Sequence, residues 1–384
     1  MIRRYRTIMP MASHPSGPDA NGQCSAQRAR WAALALDAAE PNAFYAPDML
    51  TTALSDLDGN GRVQLIEAEA NGNLIGLLPV VTYARHGRLP VACVGNWMHD
   101  HCFMGAALIR RGAEQAAWRA FLAQLDDAPW APGFLHLQGI DAAGANAAAI
   151  AAICTEQHRG WREVHRYDRA MLHSDLGADS YWETHVRAKK RKELRRLQKR
   201  LGDLGAVAQR LLTEASQLSE WVESFLALEA AGWKGKQGTA LACSHADSAF
   251  FRAACASAFQ AGRLHMLRLD LNGRPIAMLV NFRHGEGAFS FKIAIDEELG
   301  RFSPGVLIEI ANLHAVQGDP DIAWMDSCAA PGHPMIDSLW AERRTIVQYR
   351  IALRGAGTRR LQRSAALAIA NASEAIARKL KGRA

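Results

Sequence analysis

Between residues 288 and 340 the chain gathers side chains that can move protons. Lys292 interrupts the apolar run 288–295, AFSFKIAI. Asp326, Ser327 and Cys328 follow the short apolar run 322–325, and His333, Asp337 and Trp340 come soon after. The C-terminal ends of strands are common places for groups that handle ligands. Imidazole titrates near neutrality, so His333 suits a general base, and Asp326 is the other candidate. A lysine among phenylalanines either faces solvent or needs an acidic partner. With strict alternation, Ser290, Lys292 and Ala294 share one face of a strand and Phe289, Phe291 and Ile293 the other. That turns Lys292 toward a cleft, where Asp326 is its expected partner and His333 stays neutral. Cys328 is a weaker nucleophile candidate, because the sequence places no base beside it.

A second chemistry is offered by Arg301-Phe302-Ser303-Pro304-Gly305-Val306. Ser303 is a good N-cap, Pro304 suits the first helical position, and Gly305 lets a ligand approach the backbone. A helix N-terminus presents N–H groups and partial positive charge to a phosphate, and Arg301 can add a bidentate contact. Glu229, Trp233 and Lys234 surround AGWKGK at the end of a helical stretch and are candidate substrate contacts. In His99-Asp100-His101 two imidazoles at i and i+2 share one strand face. A zinc site needs three or four ligands, and no third is placed by spacing, so we expect no metal and assign His99 to a substrate-facing polar patch.

The elements that must position these groups show in the pattern. The run 263–271, Asn272-Gly273 and the run 275–283 read as a hairpin, since Asn-Gly favours a type I′ turn. A third strand over 288–295, a loop, a helix over 306–317 with Val306, Ile310 and Leu313 on one face, and a strand over 322–325 follow. A helix over 336–342 and a last strand over 345–353 complete the order. Residues 62–80, RVQLIEAEANGNLIGLLPV, align without a gap on 263–281, RLHMLRLDLNGRPIAMLVN, with Asn71 on Asn272. A Trp-bearing helical stretch precedes each, so the chain reads as an internal duplication.

The chain has 384 residues, 49% hydrophobic and 22% charged, a globular composition with room for two domains. Seven scattered cysteines without a Cys-x-x-Cys pair fit a reducing, cytoplasmic setting and exclude a disulfide framework. No apolar run reaches the ~18–20 residues of a membrane span, and we expect no secretory signal. The net charge is +7, concentrated in residues 187–200 (RAKKRKELRRLQKR) and in the tail after 355. Such clustering points to local causes and not to a DNA-binding face.

The ordered set 195–205 (RRLQKRLGDLG), AGWKGK, 262–271, 275–277, 291–295 and Ser303-Pro304-Gly305 resembles the GNAT acyltransferase superfamily. With PNAF at 41–44 and NWMHDHCFMG at 96–105, it is similar to the tandem-GNAT branch of cellulose-biosynthesis-type acetyltransferases. The resemblance implies an α/β (α+β) fold of two tandem GNAT-like domains, each a mixed, mostly antiparallel sheet flanked by helices. The expected boundaries are a disordered leader at 1–24, a degenerate domain at 25–175, an acyltransferase domain at 176–355 and a basic helical tail at 356–384. It further implies acyl transfer from acetyl-CoA or another acyl-CoA to a small-molecule or saccharide amine or hydroxyl. Lys292, Asp326 and His333 are then catalytic; Arg301, Ser303, Gly305 and Val306 bind the cofactor; Glu229, Trp233, His99 and Asp337 contact substrate. This sequence departs from the Gln/Arg-x-x-Gly-x-Gly/Ala loop of many such enzymes: only the arginine, Arg301, matches, with one glycine nearby. Two alternatives are a Fem-type peptidyltransferase, which takes its acyl group from aminoacyl-tRNA, and an inactive GNAT-fold binding protein. The basic helices would also suit peripheral contact with an anionic membrane.

Overall fold

The computed structural model describes residues 18–381, with side-chain surroundings from 26 to 376. The leader expected at 1–24 lies outside the described residues as far as residue 17; from Pro18 the chain is helical. The first elements are α1 (Pro18–Leu36), α2 (Pro47–Asp56), β1 (Gln64–Ala70), β2 (Asn73–Tyr83), β3 (Cys93–Asn96) and β4 (Leu108–Ile109). Next come α3 (Glu114–Asp127), β5 (Phe134–Asp141), α4 (Ala145–Glu156), β6 (Trp161–Leu172), α5 (Ala178–His185) and α6 (Ala188–Gly202). Then follow β7 (Val207–Leu211), α7 (Leu218–Ala231), α8 (Trp233–Lys236), α9 (His245–Gln260), β8 (Leu264–Leu271), β9 (Arg274–His284) and β10 (Gly287–Ile295). The chain ends with α10 (Pro304–Gln317), β11 (Trp324–Asp326), β12 (Glu342–Ala352) and α11 (Gly357–Lys381).

These elements form two compact units whose boundaries do not follow the two halves of the sequence. Among the described residues, unit 1 holds 18–47, 60–167 and 345–381, and unit 2 holds 48–59 and 168–344. Each is a mixed, mostly antiparallel sheet flanked by helices. In unit 1, β1, β2 and β3 are antiparallel neighbours, β3 is parallel to β5, and β12 runs antiparallel to β5 from Ile346 to Ala352. In unit 2, β7, β8, β9 and β10 are antiparallel neighbours, β10 is parallel to β11, and Met171 and Leu172 of β6 pair antiparallel with β11. Unit 1 is thus closed by β12, from late in the sequence, and unit 2 by the end of β6, which precedes its other strands.

The two Asn-Gly hairpins share their local geometry. Asn71 and Gly72 have φ of 51° and 78°, and Asn272 and Gly273 have 53° and 78°. Positive φ at both central residues is the type I′ turn that Asn-Gly favours. Both hairpins also carry a register shift at matching places, between Ala68 and Glu69 and between Leu269 and Asp270. In both units a helix, α3 or α10, then crosses to a parallel strand.

Packing explains the layers. In unit 1, Trp118 and Phe121 of α3 and Ile150 and Ile153 of α4 bury against Leu78, Val94 and Leu135 of the sheet. In unit 2, Leu307 and Ile308 of α10 pack against Leu267, Leu269 and Leu279, while Phe225 and Phe251 meet one another and Phe251 stacks on Phe291 at the opposite face. α6 buries Leu194, Leu197 and Leu201, roughly 1.5–3 kcal/mol each, and leaves most of its charged residues exposed. The short apolar run 322–325 is realised as β11, two residues later than expected. The helix expected over 336–342 is a single 3-10 turn at Ile336–Ser338. Ile336, Leu339 and Trp340 bury their side chains from this turn directly. No helix of the described residues is long and apolar enough to cross a membrane.

Three buried histidines tie this packing to pH. Burial, with His86 and Arg350 alongside, pushes His136 down to about 3. Burial and the nearby Arg283 or Arg263 push His265 and His284 down to about 4. Each folded pKa lies below the unfolded value, so the unfolded chain binds more protons between them. The contribution is complete above the unfolded pKa of about 6.5 and erodes as pH falls toward the folded value. Urea midpoints are expected to drop from pH 7 to pH 5, with each histidine accounting for about 2 kcal/mol. Equal midpoints at the two pH values would contradict this account.

Candidate functional site

The site begins where two parallel strands part. β10 and β11 pair from Gly287–Trp324 to Phe289–Asp326; β11 then ends, while β10 continues to Ile295. Just past the last pair, the β9–β10 register shifts between Ser290 and Lys292, leaving Phe291 as a bulge. The bulge corrects the expected alternation. Ser290 pairs with Asn281 and Lys292 with Val280, so these two residues face opposite sides of the sheet. Lys292 instead shares the side of Phe289, and so of Asp326. It is half-buried, with Nζ 5.7 Å from the centre of the Phe291 ring.

α10 opens beside this gap. Ser303 stands at the N-cap position, but its side chain makes no capping bond and its backbone is left-handed, φ 54° and ψ 52°. This replaces the expected side-chain cap. The Ser303 carbonyl accepts the N–H groups of Val306 (2.9 Å) and Leu307 (3.1 Å). Pro304 has no N–H, which leaves the Gly305 N–H as the outward donor of the first turn. Residues held in sparsely populated backbone regions cluster at ligand sites. Cys328, with φ 50°, is a second such residue, directly after β11.

The other side of Gly305 is filled. A Cβ there would meet Ile295 Cγ2 at 3.3 Å, Ile293 Cδ1 at 3.6 Å and Met335 Sδ at 3.7 Å. The loop carrying His333 therefore passes against the first turn of α10. His333 is half-buried; its carbonyl accepts the Asp337 N–H at 3.0 Å, and Nδ1 lies 3.5 Å from the Ile336 nitrogen. Asp337 pairs loosely with Arg343 at 3.8 Å. Positive charge gathers where the loop enters the helix: the guanidinia of Arg301 and Arg200 lie 4.9 Å and 5.9 Å from the centre of the Phe302 ring.

Asp326 is fully buried, and the cations that reach it come from β6 and β12. Its Oδ2 accepts from Arg169 at 2.7 Å and Arg344 at 2.9 Å, and its Oδ1 accepts the Cys328 N–H at 2.8 Å. Burial alone would raise its pKa, but the two guanidinia outweigh it and hold the carboxyl below the usual range. Arg344 also lies over the Trp324 ring at 4.2 Å.

The remaining residues stand elsewhere. Glu229 is buried under α8, accepting from Lys234 (2.9 Å) and from the Leu241 N–H (2.8 Å), which fixes the turn after α7. Trp233 is 53% exposed, and its N–H is held by Glu297. His99 and His101 belong to unit 1 and lie in a turn, not on a strand face, with ring centres 6.2 Å apart. Among the described residues no group of three or more His, Cys, Asp or Glu is placed to hold a metal ion.

Sequence reasoning missed Arg169, Arg344 and Glu309. The two arginines come from 157 and 18 positions away from Asp326, with no local signal to link them. Glu309 is visible only as an acid inside an apolar helix. It is 4% exposed, and burial raises its pKa to about 7.

Residues 188–332 match the family model described as the Acetyltransferase (GNAT) domain. A search among curated proteins gives no match. Among solved structures, FemX is similar at a TM-score of 0.56 and 9% identity, over 84% of this chain and 95% of that one. A conserved protein of unknown function from Bacteroides thetaiotaomicron is similar at 0.54 and 14%, over 85% and 97%. The C-terminal domain of a putative lysylphosphatidylglycerol synthetase from Agrobacterium fabrum is similar at 0.53 and 10%, over 91% and 96%. At such identities these likenesses concern the fold alone.

Proposed function

We propose that the protein, whose residues 188–332 match the GNAT domain model, is an acyltransferase that moves an acyl group, acetyl first, from acyl-CoA to an amine or hydroxyl. The observation that carries this reading is the parting of β10 and β11 beside the first turn of α10. In this reading an extended chain lies along β10 past the end of β11, and the turn offers the Gly305 N–H, with Arg301 and Arg200 nearby, to a pyrophosphate. Bound acyl-CoA supplies an activated thioester. The bulge at Phe291 frees backbone N–H groups of β10 from regular pairing, which suits them to hold the carbonyl oxygen.

Around that position, His333 takes the proton of the acceptor and Lys292 lies on the acceptor side. Asp326, tied to two arginines, anchors the end of β11. Val306, Glu229, Trp233 and Asp337 remain proposed contacts of cofactor or substrate, with His99 a separate proposal in unit 1. The reading extends to a cytoplasmic enzyme whose acceptor is a saccharide or another cell-envelope precursor. The domain assignment proposed with it is an active domain within 176–355 and a degenerate one within 25–175.

His333→Ala is expected to lower turnover about 10²–10⁴-fold with little change in acyl-CoA affinity. Steady-state kinetics beside calorimetric titration check this, and full turnover in that variant sinks the assignment.

A second reading is favoured by α6. Residues 187–200 hold nine Lys and Arg against one Glu, and seven of the nine are exposed. A polyanionic donor such as aminoacyl-tRNA, used by a Fem-type transferase, would suit this surface. Thermal stabilisation by acetyl-CoA, with none by charged tRNA, favours the first reading; the reverse result favours the second.

A further inference from the structure

Six acids are buried among the described residues: Asp48, Glu229, Asp270, Asp296, Glu309 and Asp326. Five have a basic partner at ion-pair distance: Arg263, Lys234, Arg268, Arg274, and Arg169 with Arg344, in that order apart from Glu309. Glu309 has none among the described residues, and its hydrogen-bond partner is a neutral amide, Asn312 Nδ2 at 3.2 Å. A carboxylate buried without a cation is costly, so such a group is held as the neutral acid.

The amides around it have a direction. His265 is neutral in the fold and accepts from Asn281 Nδ2 at 3.1 Å. The same nitrogen donates to Asn312 Oδ1 at 2.9 Å, and Asn312 Nδ2 donates onward to Glu309 Oε2. The two links from Asn281 through Asn312 hand a donor to Glu309 Oε2, so the acid's own O–H sits on its other oxygen and turns to another acceptor.

The helix fixes where that O–H lies. Gly305, Glu309 and Asn312 share one face of α10. Gly305 faces Ile293 and Ile295 of β10. Asn312 reaches Asn281, whose partner is Ser290, and Met325 of β11 at 3.5 Å. Glu309 lies between these levels, opposite the stretch of β10 that holds the bulge and just beyond the last β10–β11 pair.

We propose that the neutral carboxyl of Glu309 donates a hydrogen bond to the acyl carbonyl oxygen of a thioester bound between β10 and β11. This rests on the acyl-CoA reading above and adds a side-chain donor to it. The charged groups of the neighbouring elements do not compete. Lys292 and Asp326 occupy the other face of the sheet, His265 is neutral, Arg283 is engaged with Asp319, and Arg301 and His314 are exposed.

The experiment compares acetyl-CoA affinity of the full chain and of Glu309→Gln from pH 6 to pH 9. Expressing the result as a ratio cancels the ligand's own ionisation. Relative to the Gln variant, whose amide cannot ionise, the natural protein should weaken about tenfold per pH unit once the acid titrates. A ratio that stays flat over this range overturns the proposal. Glu309→Leu supplies a second measure. Replacing an unpaired buried acid by an apolar side chain should raise the melting temperature while acetyl-CoA affinity falls at least about tenfold. A Leu variant with full affinity overturns the proposal as well. Absence of acetyl-CoA binding by the natural protein at every pH would instead sink the acyl-CoA reading, and this inference with it.

Discussion

Asp326→Ala is expected to cost about 3–5 kcal/mol of stability, the usual result of breaking a buried ion pair by removing one partner. The side chains of Asp326, Arg169 and Arg344 are 0%, 2% and 9% exposed. Without the carboxylate, two guanidinia remain in the interior with their main counter-charge gone. The linkage has a defined sign. The folded pKa of Asp326 lies below its unfolded value, so its contribution is present above pH ~3.9 and is lost as pH falls through the lowered folded value. Denaturant unfolding at pH 7 measures the loss. If Asp326→Ala keeps its stability but loses turnover, the residue is a base and not an anchor.

The second large effect is at Gly305. Gly305→Pro removes the one outward N–H of the first turn of α10, and it disfavours helical backbone at Pro304 before it. A hydrogen bond to a charged group contributes about 1.5–3 kcal/mol, so acyl-CoA affinity should fall about 10- to 100-fold. Gly305→Ala is the matched control. Its Cβ would touch Ile295 Cγ2 at 3.3 Å, which a small side-chain movement relieves, and the N–H is kept. Calorimetric titration should therefore separate the two variants. Equal affinities in folded Gly305→Pro and Gly305→Ala proteins would move the phosphate site elsewhere.

What the sequence makes legible is what local physics controls. Asn71-Gly72 and Asn272-Gly273 announce their turns because few other residue pairs accept positive φ twice. Residues 306–317 show as a helix through apolar spacing, with a proline just ahead to start it. The bulge at Phe291 does not show: both alternations of AFSFKIAI look equally amphipathic, and neighbouring β9 decides the register. The same limit hides the environment of Asp326, since its arginines are joined to it only by the sheet. Glu309 was obscured by counting Val306, Ile310 and Leu313 as the apolar face. The buried face instead includes Gly305, Glu309, Asn312 and Val316.

The late closing strand of unit 1 bears on the order of synthesis. β5 pairs with β12 through contacts such as Asp141 with Ile346, which the ribosome makes 346 − 141 = 205 residues apart. At ~5–20 residues per second, β5 waits roughly 10–40 s for the strand that will cover it. During that interval its backbone presents an open edge able to pair with another nascent chain. Unit 1 therefore cannot finish folding while its C-terminal strand is still untranslated, although most of its core residues have already emerged. A stop codon before β12 would therefore leave the earlier-made unit as the one with its sheet open.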